Sequence, residues 1–247
     1  MTSLVLGATG ATGRLLVAQL LERGGHVRAI VRAPEKLPHP LRQHDRLSLI
    51  HAAVSELSDA DLARHVQGCG AVASCLGHNL NLAGIYGPPR KLVTEAVTRL
   101  CHAIQAGGQV ASPPAPVRFV LMNTTGNRNR DLPEPRSFGE RCVIGLLRLL
   151  LPPHCDNEEA ADYLRTEIGP DHRAIEWAAV RPDTLKDEDR VTAYTLHPSP
   201  TRRALFNPGA TSRINVAHFM ADLMTNDAAW SRWKGQMPVI YNEASPG

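Results

Sequence analysis

The run GATGATG at residues 7–13 directly follows an apolar start, SLVL, and leads into a stretch with one apolar face. Glycine at Gly7, Gly10 and Gly13 answers three separate demands. A sharp turn off a strand needs a residue that tolerates unusual backbone angles. A phosphate reaches the backbone only where no side chain stands in the way, and a helix packs closely on a strand only beside a small residue. The N–H groups at the start of the helix, with its dipole, then favour a pyrophosphate. Glycines needed only for packing give a similar pattern, but here strand, spacing and helix agree. The expected dinucleotide contacts are Gly7, Thr9, Gly10, Ala11, Thr12 and Gly13.

The rest of the chain alternates short β-branched runs with helical patterns, as in a parallel sheet wrapped by helices. Strands are expected at Leu4–Leu6, Val27–Val31, Leu47–Ile50, Ala71–Cys75, Phe119–Met122 and Ala174–Val180. Helices are expected at Thr12–Arg23, Asp59–Val66, Lys91–Ala106 and Asn157–Glu167, with Gly24-Gly25 stopping the first. Further on, a strand at Val191–Leu196, a helix at Val216–Met224 and a strand at Pro238–Tyr241 complete the reading. The fold class is α/β, a doubly wound, Rossmann-like parallel sheet with a small C-terminal substrate lobe. One domain over 1–247 is expected, with 127–155 and 183–212 as inserts on the substrate side, above the strand ends where such sheets bind ligands.

Composition narrows the partners. Of 247 residues 43% are hydrophobic, enough for one buried core, and the net charge of +3 comes from scattered arginines. That argues against a nucleic-acid footprint, which would need a basic stripe. Cys69, Cys75, Cys101, Cys142 and Cys155 form no C-x-x-C pair and read as buried thiols of an intracellular protein. Gly7 interrupts the first apolar run too early for a signal-peptide core. The run CVIGLLRLLL at 142–151 carries Arg148 and ends at Pro152-Pro153, too short to cross a bilayer. A cytoplasmic monomer or homodimer with a small-molecule substrate is expected, without nucleic-acid or membrane partners. No metal site is expected, since His154 and Cys155 are too sparse.

The glycine spacing is G-x-x-G-x-x-G. With LVLGATGATGRLL at 4–16, AIVRAPEKL at 29–37, AVASCLG at 71–77, RFVLMNTTG at 118–126, AAVRP at 178–182 and RINVAHFMADLMTND at 213–227, the chain resembles the atypical and extended short-chain dehydrogenase/reductases. The resemblance is to their NAD(P)H-binding branch, which holds biliverdin-IXβ/flavin reductases and NmrA-like regulators. It implies a bound dinucleotide, with Leu76, Gly77 and Pro182 beside it. A 2′-hydroxyl reader would place Asp or Glu at the end of the second strand, but that strand ends Ile30-Val31-Arg32. Arg32, assisted by Arg14, suits a 2′-phosphate, so NADP(H) is favoured over NAD(H). Both arginines are otherwise solvated surface residues. The third strand ends His51-Ala52-Ala53-Val54, where relatives often carry an Asp near the adenine.

Simple carbonyl reduction in this superfamily uses Tyr-x-x-x-Lys, whose ammonium lowers the phenol's pKa. No such pair exists: Tyr163 is followed four residues later by Glu167, Tyr194 by Pro198 and Tyr86 by Arg90. Glu167 would raise the phenol's pKa. A flavin, quinone or linear tetrapyrrole needs less, because hydride enters a conjugated system and alignment supplies much of the catalysis. The resemblance aligns Thr124 with a serine beside the nicotinamide, although a strand-end threonine also satisfies local backbone groups. Asp183 and His78 are the other catalytic candidates, each with a structural alternative. Phe138, Val143, Leu146, Leu147 and Leu150 could form an apolar acceptor wall with Tyr194, or simply core or dimer packing. Arg128, Arg130 and Arg136 could attract an anion there, or remain solvated. An NADPH-dependent oxidoreductase leads; a non-catalytic NADP(H) sensor of the NmrA-like type is the alternative. A sugar-nucleotide epimerase ranks last, for want of the Tyr–Lys pair and a larger lobe.

Overall fold

Residues 1–78, 87, 90–107, 115–134, 139, 143, 145, 152–202 and 207–243 are described by the structure, a computed structural model. Among them, eight strands form one sheet in the order β3-β2-β1-β4-β5-β6-β10-β8. These are β1 (Thr2–Leu6), β2 (His26–Val31), β3 (Leu47–His51), β4 (Cys69–Ser74), β5 (Val117–Met122), β6 (Ile175–Pro182), β8 (Tyr194–His197) and β10 (Val239–Asn242). All neighbours pair parallel except β8, which runs antiparallel to β10. This is the doubly wound, Rossmann-like sheet that the alternating pattern predicts.

Alternation along each strand divides the core in two. Leu4, Leu6, Phe119, Leu121 and Trp177 face one layer, built from α3 (Asp59–Val66), α4 (Leu92–Ala106) and α5 (Pro152–Tyr163). Val5, Ala73, Val120, Val180 and Ile240 face the other, built from α1 (Gly13–Glu22), α6 (Arg213–Thr225) and α7 (Asp227–Trp233). A single turn, α2 (His39–Arg42), joins β2 to β3. Gly24 and Gly25 stop α1 as expected, their N–H groups returning to Leu21 and Leu20.

Three departures from the sequence reading are local. Helix α5 already includes Pro152, five residues before the expected Asn157. After Tyr163 it continues as a π-turn, Leu164–Ile168. The strand expected at Val191–Leu196 is confined to β8, where Val239, Ile240, Tyr241 and Asn242 offer pairing partners. Two three-residue strands, β7 (Thr184–Lys186) and β9 (Ala210–Ser212), pair parallel in a separate small sheet that no periodicity announces.

One buried ion pair fixes the chain beyond β5. Arg181 on β6 is fully buried, and its guanidinium meets Glu134 at 2.8 and 3.1 Å. It also donates to the carbonyls of Met237, Asn127 and Pro198 at 2.7, 3.0 and 3.0 Å. Glu134 accepts from the Asn129 N–H at 2.9 Å as well. A buried pair is no large net gain over apolar packing, but removing one partner strands the other charge at about 3–5 kcal/mol. Glu134→Ala should therefore lower unfolding stability by about that amount in urea titration, with the slope unchanged, whereas an exposed control, Asp187→Ala, should cost under about 1 kcal/mol.

Candidate functional site

The order of strands reverses between β1 and β4, and the site lies there. Gly7 leaves β1 at φ +73°, a left-handed angle that favours glycine. A Cβ on Gly7 would lie 2.6 Å from the Cys75 carbonyl carbon and oxygen, and one on Gly13 would lie 2.1 Å from the Gly7 oxygen. The turn closes on itself through Gly10 N–H to Gly7 O at 2.9 Å, and on β4 through Cys75 N–H to Leu6 O at 3.0 Å. No side chain caps the start of α1. The cradle is backbone only, with helix N–H groups left to a ligand, and it fits a dinucleotide's pyrophosphate.

Around it the loops after β1, β2, β3 and β4 enclose a cleft of about 420 Å³. Gly7, Thr9, Gly10, Ala11 and Thr12 line its floor, Arg32 one end, and Leu76, Gly77 and His78 the other. Gly13 is buried beneath the floor, and Arg14 is exposed and does not line it. Two cations that sequence reasoning passed over also line the cleft: Lys36, in the short turn after β2, and Arg213, the first residue of α6, whose guanidinium lies 3.0 Å from Asp187. The Arg32 carbonyl accepts from His51 Nε2 at 3.0 Å, which ties the ends of β2 and β3 together. Ala52, Ala53 and Val54 form an apolar wall beside it. Burial pushes the Cys75 thiol up to about 12, so it stays protonated.

His78 is held from below. Its Nε2 lies 2.7 Å from Asp156 Oδ2, and the two side chains are only 5% and 1% exposed. Asp156 belongs to α5, yet it caps α4: it accepts the N–H groups of Val93 at 2.8 Å and Thr94 at 2.9 Å. The Thr94 hydroxyl donates back to the Asp156 carbonyl at 2.9 Å. Nothing in the local sequence marks Asp156 among the acids around it, because its partners are more than 60 residues away along the chain.

The remaining candidates are placed differently. Thr124 follows β5, and its hydroxyl oxygen accepts the Gly126 N–H at 3.2 Å, the local arrangement that a strand-end threonine makes. Asn123 Oδ1 accepts from the Thr124 N–H at 2.8 Å and also from Asn127 Nδ2. His154 borders Gly126, with Cε1 3.3 Å from the position a Cβ there would take. Asp183 accepts two backbone N–H groups, of Thr184 at 2.8 Å and Gly209 at 2.9 Å, and so ties the β7 segment to the approach to β9. Pro182 ends β6, and its carbonyl accepts the Thr125 N–H at 3.0 Å. None of Thr124, Pro182, Asp183 and Tyr194 is among the described residues that line the cleft.

Tyr194 packs against α6, its hydroxyl 2.9 Å from His218 Nδ1; burial and then the nearby Asp222 raise its phenol pKa. The Tyr163 phenol is also raised, by burial first and then by Cys101 and Glu167, so the expected effect of Glu167 is present but secondary. Of the acceptor wall, Val143 is 39% exposed, while Phe138, Leu146, Leu147 and Leu150 lie outside the described residues, as does Arg136. Arg130 is paired with Asp162 at 2.8 Å, and Arg128 is exposed. Among the described residues no helix is long and apolar enough to cross a membrane, and no group of three His, Cys, Asp or Glu side chains could hold a metal.

A family model described as NAD(P)H-binding matches residues 7–227, from the glycine turn to the start of α7. The chain belongs to this family. Solved structures share the family's fold at low identity. The oxidoreductase YlbE from Lactococcus lactis is 16% identical, with a TM-score of 0.68 over 98% of this chain and 91% of that one. A Veillonella parvula short-chain dehydrogenase/reductase of the wide type, solved with NADP, is also 16% identical, with a TM-score of 0.66 over 100% and 95%. A Streptococcus pneumoniae protein assigned as an NADH-flavin reductase is 18% identical, with a TM-score of 0.62 over 98% and 100%.

For a member of the family the backbone cradle is the least replaceable part of the site. Gly13→Ala should weaken binding of a nicotinamide dinucleotide by at least about tenfold, equal to about 1.4 kcal/mol, as read by isothermal titration. Gly145→Ala, where a Cβ meets none of the described residues within 4 Å, should bind as the unsubstituted protein does.

Proposed function

We propose that the protein is an NADPH-dependent oxidoreductase that reduces a conjugated small molecule of the flavin or quinone class. The observation that carries this is the composition of one cleft: a backbone cradle, with two cations at one end and a buried, oriented imidazole at the other. When bound, the reduced nicotinamide supplies a hydride. Gly7, Thr9, Gly10, Ala11 and Thr12 would hold the pyrophosphate. Ala52, Ala53 and Val54 offer the adenine an apolar face, and Leu76, Gly77 and His78 border the nicotinamide end. Arg32 and Lys36 suit a 2′-phosphate better than a bare ribose, because nothing acidic from the end of β2 stands ready to accept from a 2′-hydroxyl.

The chemistry follows from what the chain lacks as well as what it holds. Without a Tyr-x-x-x-Lys pair no lowered phenol is available to a nascent alkoxide. An acceptor that spreads the incoming charge over a conjugated system makes a smaller demand. The 127–155 and 183–212 segments are assigned to the acceptor side of a single domain, with Val143, Phe138 and Leu147 as its apolar contacts.

Steady-state oxidation of NADPH against a panel of flavins, quinones and aldehydes tests the assignment. Turnover is expected with the first two groups; silence on all three, with NADPH still bound, favours a sensor. The cofactor preference is tested separately. Replacing both Arg32 and Lys36 by Ala should raise the Kd for NADPH by roughly 10- to 100-fold, the loss of one or two charge-assisted hydrogen bonds. The Kd for NADH should stay nearly constant.

A further inference from the structure

One wall of the cleft belongs to the later half of the chain. Met122 ends β5, Leu185 lies in β7 and Arg213 opens α6, and all three line the cleft. The sheet order puts β5 on the far side of β1 and β4 from β2 and β3, so this wall stands away from Arg32, Lys36 and the apolar face at 52–54. Two contacts bring Arg213 there. Helices α1 and α6 pack side by side, and Arg23, just past the end of α1, meets Asp222 and Thr225 near the end of α6 at 2.7 and 3.0 Å. The two helices therefore start at the same edge of the sheet, one at the cradle and the other beside it. In the small sheet β7 and β9 run parallel with Lys186 opposite Ser212, so the next residues, Asp187 and Arg213, leave it together.

Arg213 has spent few of its hydrogens. Its guanidinium lies 3.0 Å from Asp187, whose side chain is 82% exposed against 24% for the arginine. Among the described residues Asp187 is its one acceptor, so the other N–H donors of the planar fork are unspent. Arg181, by contrast, gives its donors to Glu134 and three carbonyls, and Arg99 to Asp59 and the carbonyls of Val54 and Leu57. Those two arginines are consumed by the fold, and Arg213 is not. An ion pair with so exposed a carboxylate is weak and does not withhold the guanidinium from a ligand. A guanidinium fork matches the oxygens of a phosphate or carboxylate two at a time.

We propose that Arg213 is the anion-binding residue of the acceptor side. The conjugated acceptor carries a phosphate or carboxylate, which the unspent edge of the fork grips while the rings lie on Met122 and Leu185. This rests on the oxidoreductase assignment and narrows its substrate to acidic acceptors. Asp187 competes for the same guanidinium: it holds the arm in place before the acceptor arrives and opposes the incoming negative charge. A phosphate at this point has two sources, the acceptor and the cofactor's own diphosphate, with the same chemistry on the fork. The backbone cradle already suits the diphosphate, and the argument from position favours the acceptor.

Flavin mononucleotide and riboflavin share one ring system and differ by a phosphate, so together they separate the anion from the rings. With the protein loaded with NADP⁺, quenching of flavin fluorescence should give a Kd at least about tenfold lower for flavin mononucleotide than for riboflavin, the worth of charge-assisted hydrogen bonds to one phosphate. Arg213→Gln should abolish that difference by weakening flavin mononucleotide alone, while the Kd values for riboflavin and NADP⁺ stay within about twofold. Asp187→Asn should act in the opposite direction, tightening flavin mononucleotide by roughly two- to fivefold and leaving riboflavin unmoved. Substitutions that only loosened this corner of the fold would move both flavins the same way.

The inference is overturned if the two flavins bind the unsubstituted protein equally, if neither binds, or if Arg213→Gln weakens both alike. It is overturned as well if Arg213→Gln weakens NADP⁺ as much as flavin mononucleotide or more, since the fork then serves the cofactor's diphosphate. The comparison of the two flavins on the unsubstituted protein stands even if a variant fails to fold, and none of these measurements needs turnover. NADPH oxidation by a neutral quinone, without preference for the acidic flavin in binding, refutes the acidic acceptor alone. Bound NADPH with no acceptor reduced refutes the oxidoreductase assignment and leaves Arg213 to be judged by the binding comparison.

Discussion

Backbone meets backbone where β1 turns into α1, and the architecture of the site depends on that contact. With no side chain at Gly7 or Gly13, the turn lies against the Cys75 carbonyl on one side and its own first carbonyl on the other. Close packing places the start of α1 directly over the ends of β1 and β4. It is also what leaves helix N–H groups facing open space rather than a neighbouring side chain. A larger residue at either position would push the helix away from the sheet and fill the space a phosphate needs. Fold and binding are therefore one constraint here.

That constraint is local, which is why it could be read from the sequence. Glycine spacing, the three apolar residues before it and the helical stripe after it lie within about twenty residues, and each carries its own physical signature. The same holds for the strands β1 to β6, whose alternating faces supply both layers of the core. Legibility ends where a residue's role is decided by a partner far along the chain. Asp156 looks like one acid among several until α5 docks on α4 and aims it at Val93, Thr94 and His78. Arg181 stands inside a motif that signals the family, but its work, holding Glu134 and three carbonyls, appears only when β6 is buried. Lys36 was hidden differently: Pro34 starts a short 3₁₀ turn that brings it to the cleft, and a three-residue turn has no period to detect.

Asp183 and Tyr194 have their polar atoms engaged within the fold. One closes a loop and the other braces a helix. Asp183 spends both oxygens on backbone N–H groups, and Tyr194 directs its hydroxyl to His218. Polar atoms already satisfied within the fold have less to offer a ligand, and exposing them would leave backbone groups without partners.

His78 is tied to a carboxylate that is itself anchored by a helix start, so the scaffold orients the ring. The carboxylate also joins α4, α5 and the loop after β4 at a single point, next to the cleft. A shift of either helix would therefore turn the imidazole, and a ligand that fixes the imidazole would in turn favour one arrangement of the helices. Arg181 and Glu134 anchor the segment after β5 in the same manner, with a buried charge whose partners come from separate parts of the chain. Among the described residues the buried charges Glu134, Asp156 and Arg181 each join segments far apart along the chain, so their rigidity comes from tertiary contacts rather than from spacing on one helix.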